Sequence, residues 1–291
     1  MEYTINWSPE AAALLKAGEI QIDRFKCPDW DTMIADAEGD APVYVHFPLV
    51  VGRGTLATTD WARIDALMAA TNTPHVNLHL EPLKSVLGLD DNGMIAHCIR
   101  EVEAVVARYG SANVVLENVP YRADQVDKYR AAVLPDVINR IIREANCGLL
   151  LDIGHARISA RTLGMDVRDY LAALPLDRLG ELHVAGVTTF TQAHLDKALD
   201  FPGFKDYFKK YEGQQIIGTW IDHFGMESDD DWTYLAWVMD RVRDGVAQTP
   251  RFVSYEYGGI GAPFGWRSER AVIARDVPKM YGMVHGEKTR A

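Results

Sequence analysis

The sequence predicts an α/β fold, a single (β/α)8 TIM barrel with a long excursion after the seventh strand. Short β-branched or apolar runs alternate with longer amphipathic stretches, which indicates a parallel sheet with helical crossovers. Eight such runs occur, and eight strand–helix units close into a barrel. The candidate strands cover residues 3–6, 20–26, 43–47, 75–79, 113–117, 148–152, 181–185 and 252–256.

Several of the intervening helical patterns carry their own start or stop signals. Ser8 with Pro9 at the first helical position begins the first helix, and Gly110 is expected to end another. Ser228 with Asp231 three residues later predicts a capping box. The alternative fold, an open doubly wound sheet, would need a glycine fingerprint after the first strand, and none is present. Helices are predicted over residues 59–70, 94–109, 125–145, 167–174, 191–199 and 232–246.

The stretch between the seventh and eighth strands, about residues 186–231, is too long for an ordinary loop. We expect it to contain the helix over 191–199 and an aromatic segment that either packs on the barrel or acts as a substrate lid. The chain shows no linker or shift in composition, so residues 1–291 are predicted to form one TIM-barrel domain with this insertion. The aromatic segment comprises Phe201, Phe204, Tyr207, Phe208 and Tyr211.

The amino-acid composition limits which binding partners and which cellular compartment the protein can have. The net charge of −11 argues against DNA as a substrate, because nucleic-acid binding relies on Lys and Arg neutralising phosphates. The sequence contains no apolar run of about 18 residues, so no membrane helix is predicted. The first residues do not resemble a secretory signal. The three cysteines, Cys27, Cys98 and Cys147, cannot all pair with one another. We therefore expect reduced thiols and a cytoplasmic protein.

Ionisable side chains stand at the carboxyl ends of six of the eight predicted strands. Catalytic residues of this fold cluster at that face. Burying so many charges in one barrel mouth is costly unless divalent cations offset the carboxylate repulsion and keep the imidazoles neutral. The sequence therefore predicts a metal centre. Its candidate ligands are His46, His79, Glu117, Asp152, His155, His183 and Glu256, with Asp222 and His223 from the excursion.

The ligand types limit the metal. Nitrogen and oxygen donors without cysteine suit Fe, Mn, Zn or Co and argue against an oxygen-only Mg or Ca site. The number of donors indicates more than one ion, and a shared carboxylate would bridge two ions about 3.5–4 Å apart. Asn118, beside Glu117, would orient that carboxylate or touch substrate. Lys26 and Cys27 follow the second strand and would face the same pocket.

The ordered series of ligands resembles the xylose isomerase-like superfamily of metal-dependent TIM barrels, and its order resembles the endonuclease IV branch. The surrounding sequence is similar to a sister branch, the multinuclear non-haem iron-dependent oxidative enzymes. The likeness covers roughly residues 40–260. It rests on the segments VLENV, LLLDIGHARISA, YLAALPLDRLGELHVAG, IDHFG and VSYEY.

The resemblance implies two or three divalent metal positions, with iron expected and Zn or Mn as alternatives. A third position would use His155 with Asp222 or His223. Because adjacent side chains diverge on a strand, we expect Asp222 and His223 not to bind the same ion. His155 stands where the oxidative family usually carries Asn, so this position is fuller here. The first position would use His46, His79 and Glu117; the second would use Glu117 as a bridge, Asp152, His183 and Glu256.

Three classes of function follow. The resemblance implies an iron- and O2-dependent oxidative enzyme with Glu117, His155 and Asn118 as catalytic candidates, acting on a small molecule or a short, cysteine-containing peptide, often delivered by a partner protein. The alternative is redox-neutral metal chemistry with Zn or Mn, either phosphodiester hydrolysis or sugar isomerisation or epimerisation. A barrel that has lost catalysis and serves as a binding module is the third class.

Overall fold

The computed structural model describes residues 1–209 and 216–286, so Tyr211 of the aromatic segment lies outside the described residues. Nine parallel strands form one sheet in the order β3-β2-β1-β11-β8-β7-β6-β5-β4, and an antiparallel pair, β9 with β10, lies in the excursion. The strands are β1 (Glu2–Asn6), β2 (Arg24–Cys27), β3 (Val43–Val45), β4 (Val50–Val51), β5 (Val76–Leu80), β6 (Val114–Glu117), β7 (Gly148–Asp152), β8 (Leu179–Val184), β9 (Gly186–Thr189), β10 (Trp220–Phe224) and β11 (Phe252–Tyr255).

The sheet closes because β3 and β4, at the two ends of its order, follow one another in the chain; β3 lies within the predicted strand 43–47, and β4 lies just beyond it. β3 pairs with β2, and β4 pairs with β5. Between them, Asn77 on β5 bridges the gap: its side-chain oxygen accepts from the Phe47 N–H at 2.7 Å, and its amide group donates to the Phe47 carbonyl at 2.9 Å. All eight predicted barrel strands are therefore present, and the TIM-barrel prediction is confirmed.

Most predicted helices form, and their caps are those that the sequence signals. The Ser8 hydroxyl accepts from the Ala11 N–H, and Ser228 with Asp231 forms a capping box. The helices are α1 (Pro9–Lys16), α2 (Asp31–Glu38), α3 (Trp61–Thr71), α4 (Lys84–Leu87), α5 (Asp91–Tyr109), α6 (Pro135–Glu144), α7 (Ile153–Leu163), α8 (Val167–Ala173), α9 (Gln192–Leu199), α10 (Phe204–Lys209), α11 (Asp229–Arg243), α12 (Gly261–Phe264) and α13 (Arg270–His285).

The predicted helix over 125–145 is wrong in its first half. The helix α6 begins only at Pro135, after a short 3-10 turn at Arg130–Val133. Leu134 is extended, with φ −76° and ψ 132°, because the ring of a following proline disfavours the helical conformation. The proline therefore starts the helix rather than lying inside it.

Alternation along the strands separates an apolar outer face from a polar interior. On β5, Leu78 and Leu80 join the hydrophobic core that the surrounding helices cover. Asn77 and His79, on the opposite face of the same strand, contact polar side chains of neighbouring strands. The interior at the carboxyl end of the barrel is therefore the place where ionisable groups meet.

The excursion has a small hydrophobic core of its own. Phe190, Phe204 and Phe224 are buried there against Trp266, which follows α12. Both ends of the excursion are fixed by Asp231, whose carboxylate accepts from the Val187 N–H at 3.2 Å and the Ser228 N–H at 2.8 Å and pairs with Arg157 of α7. Among the described residues, no helix combines the length and apolar character needed to cross a membrane.

Candidate metal centre

Parallel register brings the predicted ligands to one rim. His79 on β5 is paired with Glu117 on β6, and Asp152 on β7 is paired with His183 on β8. Glu256 directly follows β11, and its N–H donates to the Val184 carbonyl at 2.8 Å. Because in-register residues of neighbouring parallel strands point to the same side, these side chains converge inside the barrel mouth.

The first cluster consists of His46, His79 and Glu117. The Nε2 atoms of His46 and His79 lie 3.1 Å apart, and the His79 Nε2 lies 3.2 Å from Glu117 Oε2. The His46 Nε2 lies 3.7 Å from the same oxygen. Two ligands with bonds of about 2.1 Å to one ion have donor atoms about 3 Å apart, so this cluster has the spacing of a metal site.

The second cluster lies beside it and shares Glu117. Donor atoms of Glu117, Asp152 and His183 all lie within 4.8 Å of one another. His183 Nδ1 is 3.1 Å from Glu256 Oε1 and 3.9 Å from Glu117 Oε1. Since the two oxygens of Glu117 face different clusters, this carboxylate stands where a bridging ligand would.

The third cluster joins the barrel to the excursion. His155, in the first turn of α7, places its Nε2 3.0 Å from Asp222 Oδ2 on β10. Donor atoms of His155, Asp222 and His223 lie within 4.8 Å of one another. The structure therefore corrects the expectation that the adjacent side chains of Asp222 and His223 diverge, because both reach this cluster.

The local backbone explains this. The pairing of β10 with β9 shifts register between Ile221 and Phe224, which is the signature of a β-bulge. His223 lies inside this irregularity with φ +60°, a left-handed conformation that is uncommon outside glycine. The bulge cancels the usual alternation, so two consecutive side chains face the same centre.

Three imidazoles are held in the orientation expected of metal ligands. His79, His155 and His223 each direct Nδ1 at a backbone carbonyl, those of Leu49, Asn118 and Glu256, at 2.9, 2.8 and 3.0 Å. A donor bond from Nδ1–H to a carbonyl leaves the lone pair on Nε2, and metal-binding histidines commonly have such a partner.

Several buried polar atoms at these clusters have no hydrogen-bond partner within the described part of the chain. Three of them face the centres of the clusters, one at each: Glu117 Oε2, Asp222 Oδ2 and His183 Nδ1; His46 Nδ1 is a fourth. Buried polar atoms are normally satisfied, so each such atom calls for an explanation. A cation held at each cluster would satisfy all three of these centre-facing atoms, so the donor set fits divalent metal ions.

Burial and charge shift the acidities of these groups strongly. Burial opposes ionisation of Glu117, but the imidazoles of His79, His155 and His183 outweigh it and lower the pKa of the carboxyl. Burial raises the pKa of Asp152 to about 8, and Glu256 and Asp222 add to the rise. The carboxylates are thus crowded enough that one of them resists ionisation, and positive charge from a divalent ion would relieve the repulsion.

Asn118 lies beside the centre rather than in it. Its side-chain oxygen accepts from the Asp152 N–H at 2.9 Å, and its amide group donates to the Asp152 carbonyl at 3.0 Å. Both groups of the side chain are engaged with the backbone that carries a ligand. The contacts give Asn118 a part in positioning Asp152; a direct contact with substrate stays a prediction.

Sequence reasoning missed one buried carboxylate. Glu181 is fully buried on β8, two residues before His183, and its Oε1 lies 2.7 Å from His183 Nε2. His75 and Tyr44 also contact it. The alternation of side chains along β8 could have identified Glu181, because residues two apart on a strand share a face.

A cavity of about 360 Å³ opens onto the clusters. One wall carries His46, His79, Glu117, His155, His223 and Glu256. Lys26 and Cys27 line it as the sequence predicts, and the Lys26 ammonium contacts Glu256. The apolar part of the lining includes Pro28, Trp30, Met33, Ile260 and Phe264.

Comparison with known proteins agrees with these features. The family model described as RiPP precursor modification enzyme MbnB/TglH/ChrH matches residues 63–200. The resemblance inferred from the sequence is thereby confirmed. The match includes five of the predicted ligands: His79, Glu117, Asp152, His155 and His183.

Curated relatives match over shorter stretches. A UPF0276 protein of Anaeromyxobacter sp. is 36% identical over 94 residues, 32% of this chain and 31% of the relative. One from Alcanivorax borkumensis is 32% identical over 108 residues, 36% of this chain and 32% of the relative. The chain thus spans about a third of the length of these curated relatives.

Solved structures share the fold over the whole chain. A D-psicose 3-epimerase has a TM-score of 0.55 at 12% identity and covers 98% of this chain and 99% of its own. A 3-keto-D-glucoside 4-epimerase of E. coli has a TM-score of 0.53 at 14% identity, with the same two coverages. At such identities the likeness establishes the TIM-barrel fold and no more.

Proposed function

We propose that this protein is a metal-dependent TIM-barrel enzyme that holds up to three iron ions and uses O2 to oxidise a cysteine-containing peptide. The observation that carries the proposal is the sharing of Glu117 between adjacent His- and carboxylate-rich clusters at the floor of one pocket. Such a mixed nitrogen and oxygen donor set without protein thiolates suits non-haem iron. The match to the RiPP precursor modification family supports a peptide as the substrate.

The chain's own residues divide the work between holding ions and holding substrate. His46, His79 and Glu117 would hold the first ion, and Asp152, His183 and Glu256 would join Glu117 around the second. His155, Asp222 and His223 would hold the third. Bound iron supplies the redox chemistry and an open position for a substrate thiolate or O2.

The cavity supports a peptide as substrate. Its apolar wall, with Trp30, Met33 and Phe264, offers packing for side chains next to the reacting residue. Trp30 is about half exposed at the start of α2, where a longer peptide would leave the pocket. We propose that a partner protein delivers this peptide, and that DNA is not a substrate because the chain has a net charge of −11.

Metal analysis with oxygen-uptake measurements tests the proposal. Protein isolated without added metal is expected to contain iron as its main metal and to show visible absorption. It should consume O2 with a synthetic cysteine-containing peptide and not with the serine version of the same peptide. His79→Ala should abolish uptake, whereas His97→Ala, which removes a histidine of α5 that belongs to none of the clusters, should not.

A different result would favour redox-neutral chemistry. Colourless protein that carries zinc or manganese, consumes no O2, and epimerises a ketose would overturn the oxidative proposal while leaving the metal centre in place. The fold likeness to sugar epimerases makes D-fructose a suitable probe for that arm.

A further inference from the structure

His183 is oriented differently from the other histidines of the centre. His79, His155 and His223 direct Nδ1 at backbone carbonyls, whereas His183 directs Nε2 at the Glu181 carboxylate, 2.7 Å away. The Nδ1 atom of His183 points toward Glu256 and Glu117 and has no hydrogen-bond partner among the described residues.

Glu181 is built to stay where it is. It is fully buried and two residues before His183 on β8, so the strand stacks it one layer deeper in the barrel. Its Oε1 accepts from the Tyr44 hydroxyl at 2.9 Å as well as from His183, and its Oε2 contacts the His75 Nε2. Donor atoms of Glu181, His46 and His183 lie within 4.8 Å of one another, but both Glu181 oxygens are already occupied by hydrogen-bond donors, so Glu181 acts on the neighbouring imidazole rather than on an ion.

The proton on His183 can be placed by elimination. Lys26 Nζ also lies near Nε2, at 3.2 Å, so an alternative arrangement has Nε2 accept from Lys26 while Nδ1 carries the proton. That arrangement would set an imidazole lone pair against a carboxylate oxygen at 2.7 Å, which is repulsive. An Nε2–H that donates to Glu181 removes that repulsion, and an ion bound at the second cluster displaces the other ring proton from Nδ1, which lies 3.1 Å from Glu256 Oε1, and uses the lone pair there.

We infer that Glu181 is a positioning residue that makes His183 bind the second ion through Nδ1, unlike the three Nε2-directed histidines. The inference rests on the proposed metal centre and deepens it. A carboxylate that holds a ligating imidazole fixes its tautomer and raises its basicity, and loss of such a partner typically weakens metal binding about 10–100-fold.

Zinc binding provides a test that does not depend on iron or activity. In the zinc-loaded chain with 13C-labelled histidine, ring-carbon shifts distinguish Nδ1 from Nε2 coordination, and the spectrum of His183→Gln assigns the signal. We expect Nδ1 coordination for His183. Coordination through Nε2 would overturn the inference, and this measurement needs no variant of Glu181.

Titration calorimetry gives the second arm. Glu181→Gln should weaken one zinc equivalent about 10–100-fold and leave the others unchanged. The matched control is Asp276→Asn, another fully buried carboxylate, which accepts from the Tyr255 hydroxyl at 2.7 Å and contacts none of the predicted ligands. Equal zinc binding by the two variants would refute the role of Glu181. A chain that binds no zinc would overturn the metal centre itself, and the inference would fall with it.

Discussion

The barrel rim and the excursion deliver ligands in different ways. At the rim, each ligand sits at the end of a parallel strand, and neighbours such as His79 with Glu117 are directly paired. In the excursion, Asp222 and His223 come from a two-stranded antiparallel sheet that depends on a bulge and one left-handed residue. The first arrangement follows from strand alternation, and the second depends on a local exception to it.

We therefore expect the ligands at the rim and those in the excursion to differ in how they respond to mutation. Ligands on barrel strands are held by a closed sheet whose neighbours fix them on both sides. The hairpin that carries the third cluster is fixed by Asp231 and by an aromatic core that only a few residues form. Changes in the excursion should therefore affect the third cluster alone, whereas a change at the shared carboxylate should affect more than one.

The largest effect is expected from Glu117→Gln. The Glu117 carboxylate lies 3.2 Å from His79 Nε2 in the first cluster, and its donor atoms lie within 4.8 Å of those of Asp152 and His183 in the second, so an amide there weakens at least two clusters. Metal analysis should show the loss of more than one equivalent per chain. Glu144→Gln, at an exposed position of α6, should lose none. Loss of a single equivalent from Glu117→Gln would rule out a bridging role.

His223→Ala should have the next largest effect. It removes one donor of the third cluster and leaves the first and second clusters untouched. Metal analysis should show one equivalent fewer than the unmodified chain. If His223→Ala also released the ions of the rim, the clusters would not be independent and the contrast between rim and excursion would fail.

Gly186→Ala is expected to have a smaller effect on the same cluster. A Cβ at Gly186 would lie 1.8 Å from the backbone oxygen of Gly225, so β9 and β10 would have to separate. Calorimetry should show the third ion bound about ten-fold more weakly and the other ions unchanged. Gly39→Ala, at a helix end where a Cβ meets only ordinary contacts, is the control. Unchanged binding would mean that the hairpin does not set the position of Asp222 and His223.

The smallest effect is a difference in pH dependence between clusters. Without metal, the pKa of His183 is raised to about 10, because Glu256 and Glu181 outweigh the effect of burial. The pKa of Asp152 is raised to about 8, because burial and neighbouring carboxylates both disfavour its ionised form. Metal binding must displace those protons, so affinity at the second cluster should fall as the pH is lowered from about 8 to about 6.

The first cluster should respond less. Burial, with Lys26 and His79, lowers the pKa of His46 well below its usual value, and the pKa of Glu117 is lowered as well, so both are already free of protons. Zinc titrations at several pH values check this. Equal pH dependence at every binding step would contradict the assignment of these residues to separate clusters.

Much of the site could be predicted because parallel strands follow a regular rule. A residue at the carboxyl end of a barrel strand faces the mouth, so the sequence alone brings His79, Glu117, Asp152, His183 and Glu256 together. The same alternation also indicates Glu181, two residues before His183. The strand ends do not reveal it, because Glu181 belongs to the layer beneath them.

Other features could not be derived in this way. The helix α6 starts at Pro135 because a proline restricts the residue before it, whereas the amphipathic pattern alone extends the predicted helix too far toward the N-terminus. The apolar wall of the cavity combines Trp30 with Phe264, which are distant in the chain and meet only after the barrel closes.

The sequence by itself determined the barrel, the rim and the kinds of donor atoms there, because strand periodicity is a local property that each segment carries alone. Tertiary structure decided which nitrogen of each histidine faces the centre and that Asp222 and His223 turn to the same side. Those outcomes depend on a carbonyl, a carboxylate or a bulge supplied by another part of the chain, and no local pattern encodes them.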